Sequence, residues 1–130
     1  MRLLILADAP SWDGRYRVSA LAARAAAAGD RVDLALFAGA LAAWVEEGGW
    51  DRLDPAPPIR PERLEELSLP PLSEMMEGAR GSGALHLFAC SASVRVLDLD
   101  PAAVQARVDA VVGWQTLAKK VADADRVVSF

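Results

Sequence analysis

The chain of 130 residues holds one cysteine, Cys90, and one histidine, His86. Cys90 closes the apolar run Ala84-Leu85-His86-Leu87-Phe88-Ala89-Cys90, which reads as a buried strand, and Ser91, Ala92 and Ser93 follow at once. Where a strand hands over to a turn or helix, free backbone N–H groups stabilise an anion, and a thiolate is an anion. In open α/β sheets the crevice at the carboxyl ends of the strands is the usual ligand site. The placement therefore suits thiol chemistry at a solvent-reachable Cys90. The N–H groups of Ser91, Ala92 and Ser93 would be donors, with the hydroxyl of Ser91 or Ser93 adding one more. A plainer reading stands beside it. An unpaired cysteine commonly acts as a small buried hydrophobe, and either serine can serve as a helix cap. Arg95 either adds positive charge near the thiol or is simply solvated.

Other chemistries are poorly supplied. One His and one Cys make no metal site. His86 lies four residues before Cys90 on the same strand, about 13 Å away at ~3.3 Å per residue. It cannot activate the thiol within one chain, and it reads as a satisfied structural histidine. The first loop, Asp8-Ala9-Pro10-Ser11-Trp12-Asp13-Gly14, has one glycine and no Walker lysine. It also lacks the hydroxyl residues with which a flavodoxin holds a flavin phosphate, so no cofactor is expected. Basic side chains number 14 and acidic ones 18, a net charge of −4, and no basic cluster offsets it. Nucleic acid is excluded as a partner on that ground. The longest uncharged apolar run, 34–45, is broken by Gly39 and cannot span a bilayer. The apolar start, Met1 to Ala7, stops at Asp8, too short for a signal peptide. A lone cysteine forms no internal disulfide and fits a reducing compartment. The expectation is a cytoplasmic protein without a membrane segment.

The elements that must position Cys90 follow from the hydrophobic pattern. Hydrophobic residues make up 53% of the chain, enough for one domain over 1–130 with a substantial core. Arg2 to Ala7 reads as a central strand. Arg15 to Ala28 reads as a helix with Val18, Leu21, Ala22 and Ala25 on one face and Gly29 as its stop. Arg31 to Ala38 is a second strand and Gly39 to Glu47 a short helix. The stretch 48–71 is a proline-rich surface excursion, with Trp44, Trp50 and Ile59 as anchors and helical turns over Pro61 to Leu67. Leu72 to Arg80 is a helix whose Met75 and Met76 are core residues. After the Cys90 strand, Asp100-Pro101 marks a capped helix start, ending near Arg107. Val108 to Val112 is a fourth strand. Trp114 to Ala122 is a last helix with Leu117, Ala118 and Val121 inward, and Arg126 to Phe130 is a fifth strand. Alternating strands and helices predict a mainly parallel five-stranded sheet in a three-layer α/β/α sandwich, flavodoxin-like in appearance. Trp12 falls in the first loop, at the same sheet edge as Cys90. It is a candidate for lining a substrate pocket, for a subunit contact, or for core packing. Trp114 begins its helix on that edge too.

Three segments together resemble one known family. Leu87-Phe88-Ala89-Cys90-Ser91-Ala92-Ser93 is followed by Val108-Asp109-Ala110-Val111-Val112-Gly113-Trp114-Gln115-Thr116-Leu117, and the chain closes on Ala124-Asp125-Arg126-Val127-Val128-Ser129-Phe130. Their order and spacing resemble the DsrE/DsrF-like sulfur-relay family. There, a strand leads to a cysteine, a strand-Gly-helix unit carries a Thr-Leu pair, and a terminal strand reads much like Ala-Asp-Lys-Val-Leu-Thr-Phe. The front half agrees through the helix ending in Ala28-Gly29-Asp30-Arg31-Val32 and the strand leading to Gly39. The resemblance implies the α/β/α fold and a homotrimer or homohexamer. It implies a sulfurtransferase-type carrier in which Cys90 holds sulfane sulfur as a persulfide, taken from a sulfur-donor protein and passed to an acceptor thiol on a partner. Many members carry a second cysteine three residues later, where this chain has Ser93, which points to a single-cysteine carrier. The family also contains members lacking the cysteine. The alternatives are therefore a non-catalytic subunit or scaffold with an inert Cys90, or a small-molecule-binding domain.

Overall fold

In the computed structural model, which describes residues 1–55 and 57–130, the fold is set by how the strands are ordered. Position 56, inside the proline-rich excursion, lies outside the described residues. The strands are β1 (Arg2–Ala7), β2 (Arg31–Leu36), β3 (Leu85–Cys90), β4 (Ala110–Val112) and β5 (Arg126–Ser129). The helices are α1 (Trp12–Ala27), α2 (Ala38–Val45), α3 (Pro61–Glu66), α4 (Leu72–Gly81), α5 (Ser91–Val96), α6 (Pro101–Gln105) and α7 (Trp114–Asp123). All pairings are parallel and the sheet order is β4-β3-β2-β1-β5. The steps from β1 to β4 all move in one direction, and the last step returns across the sheet to β5. Right-handed crossovers then require the helices of the first steps to share one face, and the helix of the return step to lie on the other.

The packing agrees. Val18 and Ala22 of α1, Trp44 of α2, Met76 of α4, Val94 of α5 and Val104 of α6 share one core with Ile5, Leu34 and Leu87 of the sheet. On the opposite face, Leu117 of α7 joins Ala35 and Cys90, with Leu6, Phe37 and Val112 packed around them. Alternation along each strand makes the division: Leu34 and Leu36 face the six-helix layer, whereas Asp33 and Ala35 face α7. The α/β/α sandwich is thus confirmed, and the sheet is parallel throughout.

Local signals explain most element ends. Ser11 caps α1 by accepting from the Gly14 N–H at 3.3 Å. Gly29 follows α1 with φ +90, the left-handed turn a C′ glycine allows. Asp100 caps α6 through the Ala102 N–H at 3.2 Å. Several expectations need correcting. β4 is three residues rather than five, because Asp109 turns aside to accept from the Leu87 N–H at 2.6 Å. Within α7 only Leu117 is buried. Ala118 and Val121 face outward, and Lys120 turns inward to Asp33.

The excursion is held by buried aromatic and cationic groups. Trp44 and Trp50 meet edge to face at 5.4 Å. The Trp50 indole N–H donates to the Ser19 hydroxyl at 2.9 Å, and that of Trp44 to the Arg107 carbonyl at 2.7 Å. Arg15 is fully buried. Its guanidinium donates to the carbonyls of Trp50, Pro10 and Arg52, joining α1, the first loop and the excursion. Burial pushes the Arg15 guanidinium below its usual pKa, and Arg52 adds to this, while Asp54, Asp51 and Asp13 oppose it. Ile59 is only half-buried, so Trp50 is the anchor.

Under α7 a second polar group is buried. Asp33 accepts from Lys120 Nζ at 3.1 Å and from Arg31 Nε at 3.4 Å. The Lys120 ammonium also stands 3.9 Å from the Phe88 ring centre. His86 Nδ1 lies 3.8 Å from Asp33 without a hydrogen-bond partner. It is therefore not the satisfied histidine expected.

Two stability outcomes follow. Arg15→Ala strips three carbonyls of their donor and should lower the unfolding free energy by about 3–5 kcal/mol, read as a shifted urea midpoint; Arg15→Lys should recover only part, since one ammonium cannot span three acceptors. Asp33→Ala should cost about 1–3 kcal/mol by removing the charge-assisted bonds to Lys120 and Arg31. An unshifted midpoint in either variant would refute the corresponding role.

Candidate functional site

The carboxyl ends of β3 and β4 are neighbours, with Cys90 paired to Val112. From Cys90 the chain leaves to α5 on one face of the sheet; from Val112 it leaves through Gly113 to α7 on the other. Adjacent strands whose connections part to opposite faces create a crevice, the topological switch point at which α/β sheets take their ligands. The two departing turns are close: a Cβ on Gly113 would stand 3.7 Å from the Ser91 hydroxyl oxygen. Cys90 thus sits at the strand end and at the switch point.

Its thiol is not solvent-reachable. Cys90 is 2% exposed and belongs to a buried cluster with Ala35 and Leu117, against which Leu6, Phe37 and Val112 pack. The period-two pattern of β3 aims the side chain at the α7 face, where Phe37 and Leu117 close over it. For the same reason it does not point along α5, and it caps no backbone N–H of that helix. The expected cradle of N–H groups from Ser91, Ala92 and Ser93 is not formed around the sulfur in this state.

A cleft lies next to the buried thiol. It has a volume of about 340 Å³ and is lined by Leu6, Asp8, Phe37, Ala38, Trp114, Ser129 and Phe130. Leu6 and Phe37 both line this cleft and pack on the cluster that contains Cys90. The Phe37 ring stacks on Trp114, with centres 5.5 Å apart and planes at 27°. Trp114 is 56% exposed. A half-solvated indole therefore rests on a ring that packs against the Cys90 cluster.

The turn carrying Phe37 is tied down. Ala38 has φ +44, a left-handed conformation disfavoured for a residue with a Cβ. Its N–H donates to the Ser93 hydroxyl at 3.1 Å. A Cβ on the next residue, Gly39, would come within 2.6 Å of the Pro10 side chain, so only glycine fits there. Ser93 thereby fastens the end of β2 to α5 and fixes Phe37 over Cys90, a positioning role rather than the sulfur contact expected. Ser91 is half-buried, while Ala92 and Arg95 are exposed.

Trp12 belongs elsewhere. It opens α1, stacks on Tyr16 at 5.4 Å, and lines a separate cleft of about 350 Å³ with Leu53, Leu64 and prolines of the excursion. Among the described residues no group of three or more His, Cys, Asp or Glu side chains could hold a metal ion. No helix there is long and apolar enough to cross a membrane. Sequence reasoning missed Phe37, Asp8 and Phe130. The signal for Phe37 was present: it lies two residues beyond Ala35 in β2, on the face that carries Cys90 in β3.

No protein-family model matches this chain, and no curated protein matches it. Among solved structures, the protein of unknown function MTH1491 from Methanobacterium thermoautotrophicum is similar over 98% of this chain and 97% of its own, with a TM-score of 0.62 and 13% sequence identity, a likeness of fold.

Proposed function

We propose that this protein is a sulfur-relay carrier that holds sulfane sulfur as a persulfide on Cys90 and hands it to a partner thiol. The observation that supports this reading most is the convergence at one sheet edge of the three segments that resemble the DsrE/DsrF-like family. Cys90 and Val112 are paired at the switch point with Gly113 beside Ser91, while Trp114 shares the cleft between α7 and the ends of β1, β2 and β5 with Ser129 and Phe130, so the three segments all lie along the carboxyl edge of the sheet. The chemistry asks little more of the chain. The Cys90 thiolate attacks the outer sulfur of a donor persulfide; a new S–S bond forms, the donor's S–S bond breaks, and the donor leaves as a thiolate. The same exchange in reverse roles delivers the sulfur to the acceptor. Because the resting thiol is covered, loading requires Phe37 and Trp114 to part, and the exposed Trp114 is the piece free to move. Cys90, with Ser91 to Ser93 around it, is the centre of this reading, and sulfur-donor and acceptor proteins are its partners.

A second reading draws on the burial of Cys90 in an apolar cluster. In it the thiol is inert, and the domain is a scaffold or a small-molecule binder using the adjacent cleft.

One experiment separates the two. Incubation with polysulfide or thiosulfate should add about 32 Da to the intact mass, one sulfur atom on Cys90, removed by reductant and absent in Cys90→Ser. Trp114→Ala should raise the rate at which iodoacetamide labels native Cys90 severalfold. A protein that never loads, with Trp114 present or absent, would favour the inert reading. So would a Cys90→Ser variant destabilised by about 1–3 kcal/mol from an unpaired buried hydroxyl.

Self-association belongs to the same proposal. On α7, Ala118 and Val121 face outward, and Val127 of the edge strand β5 is 41% exposed on that face of the sheet. The expectation is a trimer or hexamer, read by light scattering. A solution mass of one 13.8 kDa chain at micromolar concentration would refute it.

A further inference from the structure

We infer that the cleft beside Cys90 takes a small organic cation, an ammonium carried on an apolar or aromatic body. The inference goes beyond the sulfur reading and does not rest on it, because no part of it uses the thiol. The cleft, at about 340 Å³, has the size of a small-ligand site. Its walls are largely apolar, and three of them are aromatic: Phe37, Trp114 and Phe130. The faces of such rings attract cations, most strongly that of tryptophan. Phe130 already holds one, since the Arg17 guanidinium carbon stands 5.1 Å from its ring centre.

The sign of the expected charge comes from Asp8. It is the one charged side chain in the lining. Its backbone N–H is engaged with the Phe130 carbonyl at 2.9 Å, which fixes the residue at the rim. Among the described residues its carboxylate has no ion-pair partner. An unpaired carboxylate over aromatic walls selects for a cation and against an anion. The N-terminus of α7, with at most about half an elementary charge, and the Arg17 guanidinium at the Phe130 ring oppose this, so the preference requires Asp8 to be the charge nearest the ligand. The net charge of −4 helps to draw cations toward the protein.

The test uses three probes of nearly equal size and shape: benzylammonium, benzyl alcohol and benzoate. Their dissociation constants are measured by ligand-observed NMR on the full chain. Benzylammonium should bind roughly tenfold tighter than benzyl alcohol, the sum of an exposed ion pair and a cation–π contact, with benzoate the weakest. Asp8→Asn, an isosteric change at an exposed position, should bring benzylammonium to the level of the alcohol. The inference is overturned by equal binding of amine and alcohol, by benzoate as the tightest probe, by an amine preference that survives Asp8→Asn, or by no binding of any probe. Repeating the series on Cys90→Ser keeps the two readings apart. An amine preference retained there leaves this inference standing, whatever the outcome of sulfur loading.

Discussion

The handedness of parallel crossovers governs this molecule. With three steps taken in one direction and one return, the helices of the first three steps must lie on one face of the sheet, where α1, α2, α4, α5 and α6 supply the core, and α7 must cover the other alone. Everything of functional interest follows from that imbalance. The connections after β3 and β4 part to opposite faces and place the switch point at Cys90 and Gly113. A single ten-residue helix cannot roof five strands. The second face is therefore thinly covered at the carboxyl edge, where the cleft opens between α7 and the ends of β1, β2 and β5. Polar groups tolerated under α7 belong to the same economy. Asp33 sits on a central strand, yet it can be met by Lys120 reaching in from the only helix there.

The opposite face shows how a dense layer is kept in register. Its largest buried side chains are Trp44, Trp50 and Arg15. Arg15 is the unusual one, because a buried guanidinium needs hydrogen-bond partners, and here it finds three backbone carbonyls rather than a carboxylate. Those carbonyls come from segments without regular structure, whose acceptors would otherwise be buried unpaired. One side chain on α1 thus satisfies and aligns the first loop and the excursion together. The first loop leads into Pro10, against which Gly39 packs. The clamp is connected in this way, through the Pro10–Gly39 contact, to the turn that holds Phe37 over the thiol.

The sequence made the scaffold legible and the state of the site much less so. Strand β1 reads as an apolar run and β2 and β3 as apolar runs carrying Asp33 and His86, and helix ends are marked by Gly29 and the Asp100-Pro101 pair, whereas α1 starts at Trp12 under a Ser11 cap, three residues before the expected Arg15. These are local signals, and local physics decides them. The outward turn of Ala118 and Val121 was not legible, because helical spacing alone fits two adjacent faces. Burying Lys120 chose between them, and its partner Asp33 is 87 residues away. The burial of Cys90 was hidden for a similar reason. A cysteine at a strand end looks reachable until one knows that β2 is the neighbouring strand, that Phe37 extends beyond it on the same face, and that Trp114 lies on Phe37. Trp12 looked like a neighbour of Cys90 for being in a loop at that edge. However, it is the first residue of α1, on the six-helix side, and its ring stacks on Tyr16.

A covered thiol beside an open cleft has a consistent physical logic. An exposed free cysteine invites oxidation and mixed disulfides, since reactivity follows access as well as thiolate character. Covering it with packed side chains suppresses those reactions, but a cover made only of core residues would also stop the sulfur transfer proposed for it. Phe37 and Trp114 fall between these extremes. Phe37 is anchored by a turn whose strained Ala38 is held by one hydrogen bond from its N–H to Ser93, while Trp114 is mostly in water. Opening such a pair exposes few apolar contacts, which is the property of segments that move at low free-energy cost. The strain at Ala38 works in the same direction, because a conformation disfavoured by a Cβ leaves less to lose when the turn relaxes. Weakening the hold of Ser93 on Ala38 therefore acts on access to Cys90 without touching the sulfur, so access and reactivity can be varied separately in this fold.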